Sequence, residues 1–161
     1  MEQLTEELRM CLGEEGLKLQ ERMKEHTTFR VGGPADFFIQ PKDTEELKNA
    51  LAILHRYEIP VLVIGNGSNL LVRDKGIRGA VIQIYSRMAE IAIVGDSLKA
   101  KGGALLSAVA AKAAEHGLTG LEFAAGIPGS VGGAVVMNAG AYGGEMKDVL
   151  VSVEVLTREL E

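Results

Sequence analysis

The stretch "AGIPGSVGGAVVMNAGAYGGE" (125–145) carries one charge, one aromatic ring and seven glycines in its 21 positions. Glycine loses more backbone entropy on ordering than any other residue, so such a run persists only where something offsets that loss. Two causes qualify: backbone pressed against another part of the chain, or backbone pressed against a ligand. Gly126-Ile127-Pro128-Gly129-Ser130 followed by Gly132-Gly133 suggests the second, with a flat or phosphorylated ligand. The competing reading is a helix contact that requires small residues. Glycines interspersed with Pro128 and Asn138 are poor helix material, which favours the ligand.

A second glycine cluster lies upstream in "VIGNGSNLLVRDKG" (63–76), and it admits two readings. Backbone N–H groups at the carboxyl end of a strand form a concave nest for an anion such as phosphate. Asn66-Gly67 is also a strong tip for a tight β-hairpin, and these residues taken alone favour the hairpin. The cluster is not a Walker loop, since no Gly-Lys-Ser/Thr follows. Nor is it a Rossmann fingerprint, because Leu70 stands where the third glycine belongs. In "HTTFRVGGPADFF" (26–38), two glycines before a proline demand an unusual turn. Arg30 is a candidate for a diphosphate or an acidic substrate, although a solvated loop arginine is the more ordinary reading.

Composition bounds what these clusters serve. The 161 residues suffice for one core, or for two small lobes sharing one, and 47% apolar content is enough to fold it. The 4% aromatic content and absence of Trp argue against a base-stacking platform for single strands, and a net charge of −5 opposes attraction to nucleic acid. Cys11 is the only cysteine, so no internal disulfide forms, which fits a reducing compartment. No apolar run has the length of a membrane span, and "MEQLTEELRM" lacks the pattern of a signal peptide, so a cytoplasmic location is expected. His26, His55 and His116 are scattered, with no metal-ligand spacing, and no nucleophile elbow is present. No complete catalytic constellation emerges.

Periodicity predicts an amphipathic helix (Leu4, Leu8, Met10, Cys11) and a loosely attached connection within residues 1–26. A strand "DFFIQP" follows and ends at Pro41. "DTEELKNALAILHRYEIP" reads as a helix with a capping box at Asp43 and Glu46, stopped before Pro60. With "VLVIG" (61–65) as a buried strand, this makes a β-α-β unit with parallel strands. "GAVIQIY", "EIAIVGD" and "SLKAKGG" read as short strands with turns at Gly79, Ser86 and Asp96. "ALLSAVAAKAAEHG" is a second helix capped by Gly117, "DVLVSVEVL" alternates as a half-buried strand, and "LTRELE" carries no terminating signal.

In combination the segments are far more specific. "HTTFRVGGPADFF", "IPVLVIGNGSNLLVRDKGIRGAVIQI" and "GLTGLEFAAGIPGSVGGAVVMNAGAYGGEMKDVL" occur in the order found in MurB-type UDP-N-acetylenolpyruvoylglucosamine reductases. From about residue 20 onward the chain closely resembles the N-terminal, FAD-binding portion of that family. The resemblance implies an α+β fold, the FAD-binding domain of the vanillyl-alcohol oxidase / p-cresol methylhydroxylase type, with two small α/β lobes around the cofactor. Residues 1–25 would be an N-terminal helix and connection, 26–96 the first lobe and 97–161 a truncated second lobe, without the C-terminal substrate-binding domain.

It further implies a flavoenzyme of peptidoglycan synthesis, in which NADPH reduces non-covalent FAD and hydride passes to the enolpyruvyl ether of a UDP-sugar. Gly65, Asn66, Gly67, Ser68, Asn69 and Leu70 match the loop along the FAD diphosphate, which replaces the hairpin reading. Gly126, Ile127, Pro128, Gly129, Ser130, Gly132 and Gly133 match the second wall, and Asn138, Ala139, Gly140, Ala141 and Tyr142 the segment near the flavin. The family's catalytic arginine, proton-donating serine and glutamate match no residue here, so FAD binding without turnover is expected. Partners are then the UDP-sugar in a complete enzyme, no nucleic acid, no membrane, and self-association through apolar surface. The alternative is a non-catalytic nucleotide-binding or interaction module of the same fold.

Overall fold

A computed structural model describes every residue except Arg158 and Glu161. The two most buried strands lie at the centre of a four-stranded sheet. They are β2 (Pro34–Ile39) and β4 (Ile77–Gln83), which pair in parallel. Residues 37–39 and 79–83 are buried in unbroken runs, on both faces, as central parallel strands require. β1 (Leu17–Arg22) adds to β2 in antiparallel sense, and β3 (Val61–Ile64) pairs with β4 in parallel, giving the order β1-β2-β4-β3.

Helices α1 (Glu2–Gly16) and α2 (Thr44–Arg56) cover one face, where Leu4, Leu8 and Leu12 meet Ala50, Leu54, Phe37, Ile39 and Ile82. Met23, Phe38, Ile64, Val72 and Val81 pack together on the other. The expected β-α-β unit is present as β2-α2-β3, with β4 inserted between its two parallel strands. Asp43 caps α2 by accepting from the Glu46 N–H at 2.8 Å. Glu46 reaches back to the Lys42 N–H at 2.9 Å, one residue short of the usual capping box.

Several expectations change. The connection after α1 is not loose: β1 hydrogen-bonds to β2, because the backbone of that apolar strand needs a partner on its free edge. Gly79 is no turn; it lies inside β4, where the pairing register with β2 shifts and the Asp36 carboxylate accepts from its N–H at 2.9 Å. β3 is buried only in part, since it is the outer strand and exposes 57% of Val63. The hairpin at Asn66-Gly67 does not form. After Ile64 the chain crosses to the 26–33 loop, where the Gly67 carbonyl accepts from the Thr28 N–H at 3.2 Å, and no strand folds back on β3.

The remaining chain builds a second cluster around Leu106, Phe123, Ala134 and Met146. A two-stranded ribbon of β5 (Ile91–Val94) and β6 (Ser97–Ala100) leads into α3 (Leu106–Glu115). The lobe division expected after Asp96 falls within the turn of this ribbon. Gly117 closes α3 as expected, in a Schellman arrangement: its N–H donates to Ala114 O and the Leu118 N–H to Ala113 O. Gly132 and Gly133, read above as poor helix material, lie in the short helix α4 (Val131–Met137). Tertiary contact overrides propensity there, because the Gly132 N–H donates to Gly102 O at 2.8 Å.

β7 (Gly140–Ala141) and β8 (Gly144–Glu145) form a minimal hairpin before α5 (Met146–Val149). The expected strand "DVLVSVEVL" is overturned. Its first residues belong to α5, and residues 150–156 pair with no strand among the described residues. Alternation creates an apolar face, but a strand needs a neighbour to complete its ladder, and Val151 remains 92% exposed. Part of "LTRELE" lies outside the described residues. Among the described residues no helix is long and apolar enough to cross a membrane.

Candidate functional site

β3 and β4 run in parallel and end in register, Ile64 beside Gln83. The carboxyl ends of parallel strands are where open α/β sheets place ligands. From Ile64 the chain enters the 65–70 loop. None of the backbone N–H groups of residues 66–70 donates to a protein acceptor among the described residues. Successive unpaired donors of this kind make an anion-binding concavity. The Gly65 carbonyl, in contrast, is engaged, accepting from Gln83 Nε2 at 3.1 Å.

The second glycine wall stands against the first. Asn66 Nδ2 donates to the Pro128 carbonyl at 3.0 Å, and a Cβ on Gly65 would lie 2.1 Å from Ser130 Oγ. A side chain at 65 would therefore displace the Ser130 hydroxyl from its present position. Ser130 is 1% exposed and its hydroxyl has no hydrogen-bond partner. A buried hydroxyl left without a partner costs on the order of 1–3 kcal/mol, a deficit that a ligand acceptor or donor would relieve.

The electrostatics suit an anion approached by backbone. Neither 65–70 nor 125–144 contains a carboxylate or a basic group, and Tyr142 is their only titratable residue. Beside the Gly67 contact, Lys24, Glu25, Thr27 and Arg30 line an open depression of about 460 Å³. Arg30 is exposed, as its ordinary reading expected. His26 stacks on Phe38 at 3.9 Å and contacts Glu21 at 2.8 Å. Partial burial raises the Glu21 pKa, but hydrogen bonds from His26 and Lys18 outweigh it and hold the carboxyl below its ordinary value.

The third predicted segment is organised differently. Asn138 Nδ2 donates to Glu145 Oε2 at 2.6 Å and its Oδ1 accepts from the Lys147 N–H at 3.0 Å, so its amide serves the fold. Ala139, Gly140 and Ala141 build the β7–β8 hairpin, with Tyr142, 97% exposed, at its tip. Tyr142 lines an open depression of about 470 Å³ with Glu122 and Phe123. Residues 65–70 and 128–130 are thus brought together, Gly132 and Gly133 continue behind them in α4, and 138–142 share no hydrogen bond with 65–70 among the described residues. Sequence reasoning passed over Gln83 and Gln40. The available signal was a lone amide in the apolar run "GAVIQIY", since buried polar residues are rare and purposeful.

The family model described as "FAD binding domain" matches residues 35–159. The chain belongs to the FAD-binding-domain family. FAD is accordingly its cofactor class, and the residues fit it: among the described residues the N–H groups of 66–70 have no protein acceptor, and the buried Ser130 hydroxyl has no partner. Among curated relatives, the UDP-N-acetylenolpyruvoylglucosamine reductase of Agathobacter rectalis is 56% identical, over 91% of this chain and 50% of that protein. The chain spans about half the length of the curated relatives it matches. The crystal structure of UDP-N-acetylenolpyruvylglucosamine reductase (MurB) from Thermus caldophilus superposes with a TM-score of 0.61 at 39% identity, covering 82% of this chain and 45% of that one.

More distant solved structures share the fold alone. Alkyldihydroxyacetonephosphate synthase gives a TM-score of 0.76 at 18% identity, over 99% of this chain and 34% of that one. p-Cresol methylhydroxylase gives 0.58 at 16% identity, over 73% and 25%. The α+β FAD-binding-domain fold of the vanillyl-alcohol oxidase / p-cresol methylhydroxylase type is thereby established. Among the described residues, no group of three His, Cys, Asp or Glu side chains is placed to hold a metal ion.

Proposed function

We propose that this chain is the FAD-holding part of a cytoplasmic UDP-N-acetylenolpyruvoylglucosamine reductase, which makes UDP-N-acetylmuramate for peptidoglycan synthesis. The observation that carries the reading is the run of unpaired N–H groups at 66–70, set against the Gly126–Ser130 wall at the end of β3. FAD, when bound, supplies hydride transfer from NADPH to the enolpyruvyl double bond. The N–H groups of 66–70 hold the diphosphate, and the Ser130 hydroxyl gives the cofactor a fixed, dry contact. Gly126 and Gly129 leave the wall without side chains, so flat ligand atoms approach the backbone closely.

Reduction of an enolpyruvyl ether also needs an acid to protonate the carbon next to the carboxylate. Neither wall supplies one, and the family's arginine, serine and glutamate match no residue here. This chain by itself therefore binds FAD and does not turn over the UDP-sugar. Incubation with excess FAD followed by gel filtration tests the reading. A protein-bound flavin spectrum and a higher melting temperature with FAD are expected. Loss of all flavin on the column, with no thermal shift, overturns it.

A further inference from the structure

Gln83 occupies the last position of β4 and is 4% exposed. Its Nε2 donates to Gly65 O at 3.1 Å, and its Oε1 accepts from Gln40 Nε2 at 2.8 Å. The Gln40 backbone carbonyl in turn accepts from Arg87 Nη1 at 2.7 Å. The two ends of the Gln83 amide thus have unlike partners, a carbonyl on one side and an N–H on the other, and only one orientation satisfies both. A buried, hydrogen-bonded relay tends to hold one geometry, because another leaves polar atoms unpaired in a low-dielectric interior.

That relay ends at the first peptide of the 65–70 loop. Glycine at 65 has no Cβ to restrict rotation of the 65–66 peptide, so its two faces are set by hydrogen bonding. With its oxygen drawn to Gln83, this peptide directs its N–H, that of Asn66, to the opposite side. A rotated peptide would present a carbonyl oxygen to an anion and remove one donor. Like charge and lost hydrogen bonding would then act together against a diphosphate.

We infer that Gln83 is a positioning residue for the dinucleotide loop: its amide, braced by Gln40, fixes the Gly65 carbonyl so that the following N–H groups face the diphosphate. This rests on the FAD reading above. Gln83→Leu removes the donor to Gly65 and the acceptor for Gln40 with a branched apolar side chain. Gln83→Met removes both hydrogen bonds at similar volume. The control is Leu8→Ala, a core truncation on the α1 face that touches neither wall and destabilises the same sheet.

The experiment compares melting temperatures without ligand and dissociation constants for FAD across the four proteins. Expected is a loss of FAD affinity of about tenfold or more in both Gln83 variants, the worth of a buried hydrogen bond or two. Leu8→Ala should lower the melting temperature at least as far and leave the FAD affinity within about twofold, as a site remote from the ligand allows. Equal affinity in the Gln83 variants and the unsubstituted chain overturns the inference while the FAD reading stands. So does an affinity loss that tracks melting temperature in all three variants, or Gln83 variants that do not fold while Leu8→Ala does. No FAD binding by the unsubstituted chain overturns the cofactor reading and this inference together.

Discussion

Replacing Gly126 with alanine separates the two causes of the glycine-rich stretch. Unlike Gly65, Gly126 has no chain contact to explain it: nothing lies within 4 Å of the position its Cβ would take. Its backbone also lies outside the left-handed region. On the folded chain alone, alanine is therefore neutral or stabilising, by about 0.4–1 kcal/mol through the entropy of the unfolded state. If the open space is where the cofactor meets the backbone, the added methyl is overpacked against it. That costs about 1–3 kcal/mol of binding, or about 5- to 150-fold in the dissociation constant for FAD. Urea unfolding of the ligand-free protein measures the first quantity, and titration of flavin fluorescence the second. Unchanged FAD affinity would refute the ligand explanation at this position, and a stability loss above 1 kcal/mol would refute the claim that the chain leaves it room.

Two other changes act on the fold. Gly67→Ala places a Cβ 2.0 Å from the His26 carbonyl oxygen at a φ of +66°, a clash with backbone that a side-chain rotation does not relieve. Left-handed strain of about 1–2 kcal/mol and overpacking of about 1–3 kcal/mol sum to roughly 2–5 kcal/mol, read as a lower urea midpoint. Glu21 titrates below its ordinary range in the folded chain, so its contribution is present above the unfolded carboxylate value and lost as pH falls through the lowered one. Glu21→Gln should lower stability at neutral pH, leave the acid end nearly unchanged and so flatten the stability–pH curve below about pH 4.5, as unfolding midpoints across that range would show.

Local chemistry was legible in the sequence wherever it was short-range. Asp43 and Glu46, three residues apart, capped α2, and Gly117 closed α3, because caps and Schellman turns satisfy backbone groups within one helical turn. The motif order in 26–38, 63–76 and 125–145 pointed to FAD through its resemblance to a known family, whereas the 63–76 cluster read alone favoured a hairpin. Tertiary contact decided the rest. Asn66-Gly67 has the local makeup of a hairpin, yet the backbone of residues 26–28 captured it. The alternation in 150–156 matched a strand, yet no neighbouring edge pairs with it among the described residues. Gly132 and Gly133 entered a helix against propensity because Gly102 supplied an acceptor. Gln83 gained its place from a partner 18 residues away and another 43 away. Periodicity and caps are energies between residues close in the chain, so sequence alone determines them. Strand partners, close approaches and buried relays are energies between residues distant in the chain, and only the folded structure brings them together.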